Sequence, residues 1–167
     1  MLEGNLLVRM TSTPPAFNMD RISTWDWSTV DIRKESQVIQ HDKQSIQYHV
    51  IQSLIASYKY CVIFDDDDAG EIADIVSIMD AADRITIQFY HCKYAHGDNP
   101  GDRVADLYEV CGQAEKSIKW CQEPSTIIDR LMKRESSSAQ SGGTRFEIGN
   151  LRKLREIKNK MRVFLQK

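Results

Sequence analysis

Residues Tyr60–Tyr94 read YCVIFDDDDAGEIADIVSIMDAADRITIQFYHCKY, and the alternation inside this stretch decides the fold. Cys61–Phe64 is a short apolar run that opens into four consecutive aspartates, Asp65–Asp68. Glu71–Met79 and Arg84–Tyr94 are rich in Ile, Val and aromatics, which predicts two further strands, with Asp80–Asp83 short enough for a hairpin. Side chains alternate across a strand. Ile72, Asp74, Val76 and Ile78 therefore share one face of the second strand, and Ile85, Ile87, Phe89, His91 and Lys93 share one face of the third. With Ala82 and Asp83 as a two-residue turn, Asp74 lies opposite His91 and diagonal to Lys93. A one-pair slip in register keeps all three on the same face. Ionisable groups inside apolar rows are costly unless something compensates their charge.

A divalent cation is one such compensation. Carboxylate oxygens suit Mg²⁺, with Mn²⁺ as a substitute, and the ion neutralises charge on a phosphate and acidifies an attacking water. A lysine beside it stabilises the charge that develops in the transition state. Asp74, a turn, and then His91-x-Lys93 on the next strand resemble the signature of the restriction-endonuclease-like superfamily, written PD-(D/E)XK. Gly70–Val76 also resembles the acidic pattern of its resolvase-like members. The resemblance covers roughly Ser45–Trp120 and departs from the pattern at His91, where Asp or Glu is usual. It implies an α/β fold in which a mixed central sheet, built on the Glu71–Tyr94 hairpin, is flanked by helices. It implies a Mg²⁺-dependent DNA endonuclease with Asp74 as principal metal ligand and Glu71, Asp66 and His91 as further ligands. Lys93 would position water or stabilise charge, and Gln47, on the preceding helix, is a further site candidate. Such domains travel with a helicase or another ATPase in bacterial DNA processing or phage defence, and often dimerise to cut two strands.

Two other readings compete. Asp74, His91 and Lys93 also suit a buried polar network in a nuclease-like module that only binds nucleic acid or protein. Val62–Asp68 resembles the haloacid-dehalogenase motif, an apolar strand ending in Asp-x-Asp, although Ala69-Gly70 stands where Gly-Thr normally follows. Zinc fits poorly, because His91 and Cys92 point to opposite faces of a strand.

Charge is unevenly spread along the 167 residues, whose formal net charge is −2. Eight acids and no Lys or Arg fall between Asp65 and Asp83, whereas Arg145–Lys167 carries eight basic residues against Glu147 and Glu156. An acidic centre with a basic flank suits a metal site that also meets a polyanion. Lys153, Arg155 and Lys160 in that flank are candidate phosphate contacts, as are Arg103, Gln113 and Lys116 on an earlier helix. The four cysteines show no C-x-x-C pairing, which predicts reduced thiols and, with no signal or membrane segment, a cytoplasmic protein.

The remaining chain divides into four segments. Residues 1–41 lack sustained periodicity and read as an extension or the tail of an upstream domain, with Trp25 and Trp27 docking on the core or on a neighbour. Residues 42–134 form the α/β core, beginning with a helix Lys43–Tyr58 capped by Asp42. Its second helix runs from an Asp102 cap to about Gln122, with Val104, Leu107, Cys111, Ala114, Ile118 and Cys121 on the buried side. A short helix from Pro124 to Arg134 closes it. Residues 135–144 read as a flexible polar loop. Residues 145–167 hold a short strand Arg145–Ile148 and an amphipathic helix through Leu151, Leu154, Ile157, Met161 and Phe164, with Met161–Leu165 as a possible strand start.

Overall fold

The computed structural model describes residues 2–3, 6–7, 18–38, 40–94, 96, 103–122 and 124–165. The loop residues Gly97, Asn99, Pro100 and Gly101, the Asp102 cap and Lys167 lie outside them, as do the side chains of Cys121, Arg162 and Phe164. Strands β1 (Leu2–Glu3) and β2 (Leu6–Leu7) pair only with each other. The central sheet has four strands, β3 (Val62–Asp65), β4 (Ile75–Asp80), β5 (Ile85–Tyr90) and β6 (Phe146–Ile148), in the order β5-β4-β3-β6. Every pairing in it is antiparallel. The α/β class holds, and the mixed sheet expected from the resemblance is instead antiparallel throughout, because β6 runs back along β3 rather than beside it in the same sense.

Alternation along β3 and β4 separates two apolar layers. Val62, Phe64, Val76 and Ile78 face helices α3 (Pro124–Gln140) and α4 (Leu151–Leu165), meeting Ile127, Ile128, Leu131, Leu154 and Ile157. Ile63 and Ile75 face the other way, onto Ile46, Val50, Ile51 and Leu54 of α1 (Ile46–Ala56). The hairpin register follows the Ala82–Asp83 turn, with Ile75 opposite Tyr90 and Asp80 opposite Ile85. Continued by one step, that register sets Asp74 against His91. Both strands stop short of their expected ends, however, so Glu71, Asp74, His91 and Lys93 all lie in the segments flanking the ladder.

Several boundaries move for identifiable reasons. Helix α1 starts later than expected, because Ser45 rather than Asp42 caps it, accepting the Tyr48 amide at 3.1 Å. Asp42 turns the chain locally by accepting the Gln44 amide. Helix α3 continues through residues 135–140, where a loop was expected. Glu135 is buried and fastens its end, accepting from the Thr144 hydroxyl at 2.9 Å and the Arg145 amide at 2.8 Å. Met161–Leu165 completes α4 and is not a strand. In α2 (Val104–Ile118) the apolar stripe is reversed: Val104, Leu107, Tyr108 and Ile118 are each more than 60% exposed, and Ser117 is the one buried residue of the helix. Trp25 and Trp27 stack on each other and dock on His49 of α1, with ring centroids 5.0 Å apart for Trp27 and His49. No helix among the described residues is long and apolar enough to cross a membrane.

Candidate functional site

One end of the sheet gathers the chemistry. Because neighbouring strands run in opposite senses, the end of β3, the start of β4, the end of β5 and the start of β6 lie side by side there. Asp65, Asp74, His91 and Arg145 mark those four positions. Between Asp65 and Asp74 the chain makes a tight excursion. Asp68 and Gly70 take positive φ, 108° and 84°, and the Glu71 amide donates to the Asp68 carbonyl at 3.1 Å. Glycine suits position 70 because its φ of 84° lies in the left-handed region, and the Arg130 guanidinium lies against it.

This excursion brings Asp67, Glu71 and Asp74 together, each offering a carboxylate oxygen within 4.8 Å of the others. The electrostatics are those of a set whose burial and mutual repulsion outweigh the nearby Arg134. Burial, followed by the charges of Glu71 and Asp67, raises Asp74 to about 7, against the pull of the Cys92 amide that donates to its Oδ2 at 2.9 Å. Glu71 is raised as well, first by burial and then by Asp67. Three oxygen donors under mutual repulsion fit a hard divalent cation. The residues present can therefore hold one.

Asp66 takes no part in this set. Its side chain is fully buried, pairs with Arg134, and accepts the Ile72 amide at 2.7 Å. Burial lifts it to about 6 even so, with the Ile72 amide and Arg134 opposing the rise, and it is ionised at neutral pH. The adjacent Asp67 occupies the position expected of Asp66, its carboxylate accepting from the Ser36 hydroxyl and the Asp68 amide while Asp66 accepts from Ile72. Two arginines hold that loop by its carbonyls. Arg134 donates to Ala69 O, Asp66 O and Asp67 O, and Arg145 donates to Asp65 O and Asp67 O at 3.2 and 2.8 Å.

His91 lies beside the acidic set, not within it. Ser117 donates its hydroxyl to the Ile72 carbonyl at 2.6 Å, so His91 Nε2, 2.9 Å from that hydroxyl oxygen, must carry the hydrogen. In the neutral ring Nδ1 is then bare. It has no hydrogen-bond partner and faces Asp74 Oδ2 at 3.5 Å. Burial lowers the pKa of His91, which favours this neutral form. Lys93 goes elsewhere: its ammonium pairs with Glu109 at 2.8 Å and Glu35 at 3.2 Å. Burial would lower its pKa, but those two carboxylates outweigh it and hold Lys93 charged. The strand that would have kept it on the Asp74 face ends at Tyr90.

Gln47 is buried beneath the site. It accepts the Gln37 amide at 2.8 Å and donates to Asp65 Oδ1 at 2.9 Å and to the Asp74 carbonyl at 3.3 Å. The Gln37 side chain, also buried, bridges Asp65 and Glu147 at 2.7 Å each. Both oxygens of Asp65 are thus engaged by amides, which leaves it poorly placed as the nucleophile of a dehalogenase-like reaction. Ser36 donates to Asp67, so segment 35–37 completes the site although it precedes the expected start of the core.

No protein-family model, curated protein or solved structure matches this chain. The site therefore stands on its own geometry. Among the expected phosphate contacts, Lys153 and Lys160 both pair with Asp80 at the far end of β4. Six residues of strand from Asp74 place Asp80 about 20 Å away. Arg155 and Lys116 are exposed, Arg103 pairs with Asp106 at 3.5 Å, and Gln113 lies one turn before Ser117 on α2. Among the described residues zinc finds no ligand set: the Cys92 thiol is buried against α1, and His96 pairs with Asp106 at 2.6 Å. What sequence reasoning missed is Asp67 as the individual member of the acidic set, together with Gln37, Arg134, Arg145 and Glu147. Only the run of four aspartates signalled any of these.

Proposed function

We propose that the chain is a Mg²⁺-dependent nuclease domain of the restriction-endonuclease-like type, hydrolysing DNA phosphodiester bonds. The observation that carries this reading is the convergence of Asp67, Glu71 and Asp74, with Asp74 raised to about 7 and no protein cation within the set. Asp74, Glu71 and Asp67 hold the ion, and Mn²⁺ is an acceptable substitute. When bound, Mg²⁺ supplies charge neutralisation at a phosphate. The chain's own residues do the rest. The Cys92 amide and Gln47 fix Asp74 and its backbone. Arg134 and Arg145 hold the loop that carries Asp67. His91 Nδ1, bare and turned inward, accepts a proton beside Asp74. Lys93, tied to Glu35 and Glu109, keeps the segment after β5 in place. A helicase or another ATPase as companion, and a role in DNA processing or phage defence, belong to the same reading.

The test is nicking of supercoiled plasmid and of single-stranded circular DNA in Mg²⁺, Mn²⁺ or EDTA. Cleavage should need the metal and fall by a factor on the order of 10² or more in Asp74→Asn and Glu71→Gln. Nucleic-acid binding without cleavage of either substrate would instead favour the non-catalytic module.

A further inference from the structure

Next to the acidic set the surface opens into a cleft of about 1050 Å³, and Asp67 belongs to both. One wall is the acidic loop. A second wall is α3, which presents Arg130, Lys133, Ser137 and Ser138, with Ser141 just past its end. The two walls carry opposite charge. Arg134 and Arg145 also line the cleft, but their donors are committed to the loop carbonyls. Arg130 and Lys133 make no ion pair among the described residues, and Arg130 Nε is buried without a hydrogen-bond partner. Arg130 instead lies over the Trp120 ring, 5.2 Å from its centroid, and against Gly70. Two cations outside any ion pair among the described residues, Arg130 with part of its field spent on Asp66, match the phosphate oxygens of a sugar–phosphate chain. Among the described residues no Phe, Tyr or Trp lines the cleft, and its one ring, the His41 imidazole, faces Glu147 at 3.5 Å.

We propose that this cleft holds the sugar–phosphate backbone of a single DNA strand, its phosphates against Arg130 and Lys133 and its path leading to Asp67. The volume suits a few nucleotides of one strand, being that of a pocket for a compact ligand, and a double helix is too wide to enter. Binding is therefore indifferent to base sequence. It depends on a divalent cation, because the acidic wall repels phosphate until its charge is offset. The role of Asp67 rests on the nuclease reading; the binding itself rests on the cleft.

The test is fluorescence anisotropy of a labelled oligothymidylate and of a mixed-sequence strand of equal length, with Ca²⁺ replacing Mg²⁺. Lys133→Glu should weaken both by at least tenfold, and Arg130→Gln should act in the same direction. Their combination should reduce the salt slope by about 0.7 per lost contact. Lys59→Glu makes the same charge change beyond the end of α1 and should leave affinity alone, and circular dichroism reports whether each variant folds. A duplex of the same length should compete at least tenfold less well than the strand. Unchanged strand affinity in Lys133→Glu, or a duplex that competes equally, overturns the proposal. A chain that binds strand through Lys133 but nicks no DNA keeps the cleft and loses the nuclease. One that nicks DNA while its affinity ignores Lys133→Glu does the reverse.

Discussion

Asp74 is the residue on which stability and function pull in opposite directions. Its carboxyl moves from an ordinary 3.8 to about 7, through burial first and then through Glu71 and Asp67. Between those two values the folded chain holds a proton that the unfolded chain releases, so metal-free stability falls as pH rises from about 4 to about 7 and levels off above. In chelator, Asp74→Asn should lessen that fall and raise stability at pH 8 by roughly 2–4 kcal/mol, read from urea unfolding. Asp66, raised to about 6, leaves a smaller fall of the same sign in the variant. A variant less stable than wild type at pH 8 would show that Asp74 has a protein counterion. Arg134 is the opposite case, since its guanidinium offsets Asp66 and holds three loop carbonyls. Arg134→Ala should cost about 3–5 kcal/mol at pH 8, and less below pH 6, where Asp66 takes up a proton and the lost carbonyl contacts remain.

Among the elements, the β4–β5 hairpin was legible in the sequence and the two long helices beside it were only half so. The hairpin could be read because a two-residue turn and a period of two fix register together, and they set Asp74 against His91 in the structure as in the sequence. The loop after β3 could not be read in this way. Four aspartates look alike in sequence, and only the folded loop, with positive φ at Asp68 and Gly70, gives each its own partners. Lys93 was misplaced because parity holds only while the strand continues, and β5 ends three residues before it. Helix α2 shows the converse error: its apolar spacing is regular, yet spacing cannot say whether anything covers the stripe. Leu107→Ser on that exposed stripe should therefore change stability by less than about 0.5 kcal/mol. Leu131→Ala on α3, fully buried against the sheet, should cost roughly 2–5 kcal/mol. Chemical denaturation of the two variants side by side checks the contrast, and equal losses would mean that α2 is covered in solution.

At the scale of the molecule, the two ends of the sheet carry opposite arrangements of charge. At the hairpin end Asp80 is matched by Lys153 and Lys160, which lower its pKa, so its charge is compensated within the protein. At the other end Asp67, Glu71 and Asp74 face one another, and among the described residues none of them forms an ion pair with a Lys or Arg. The groups that hold those acids come from segments as far apart as Ser36, Gln47, Arg134 and Arg145, so the acidic set exists only in the folded chain. A cation bound there must therefore stabilise the whole fold. For a dissociation constant of about 1 mM, 10 mM Mg²⁺ adds roughly 1.4 kcal/mol. In a chain of this size that raises the melting temperature by about 3–6 °C. The shift should vanish in Asp74→Asn and shrink in Glu71→Gln. Lys153→Ala should lower the starting melting temperature while leaving the Mg²⁺ shift intact, because it disturbs only the compensated end. Calorimetric melting of the four proteins with and without Mg²⁺ measures this directly, and a shift of equal size in Asp74→Asn would place the cation somewhere other than the acidic end of the sheet.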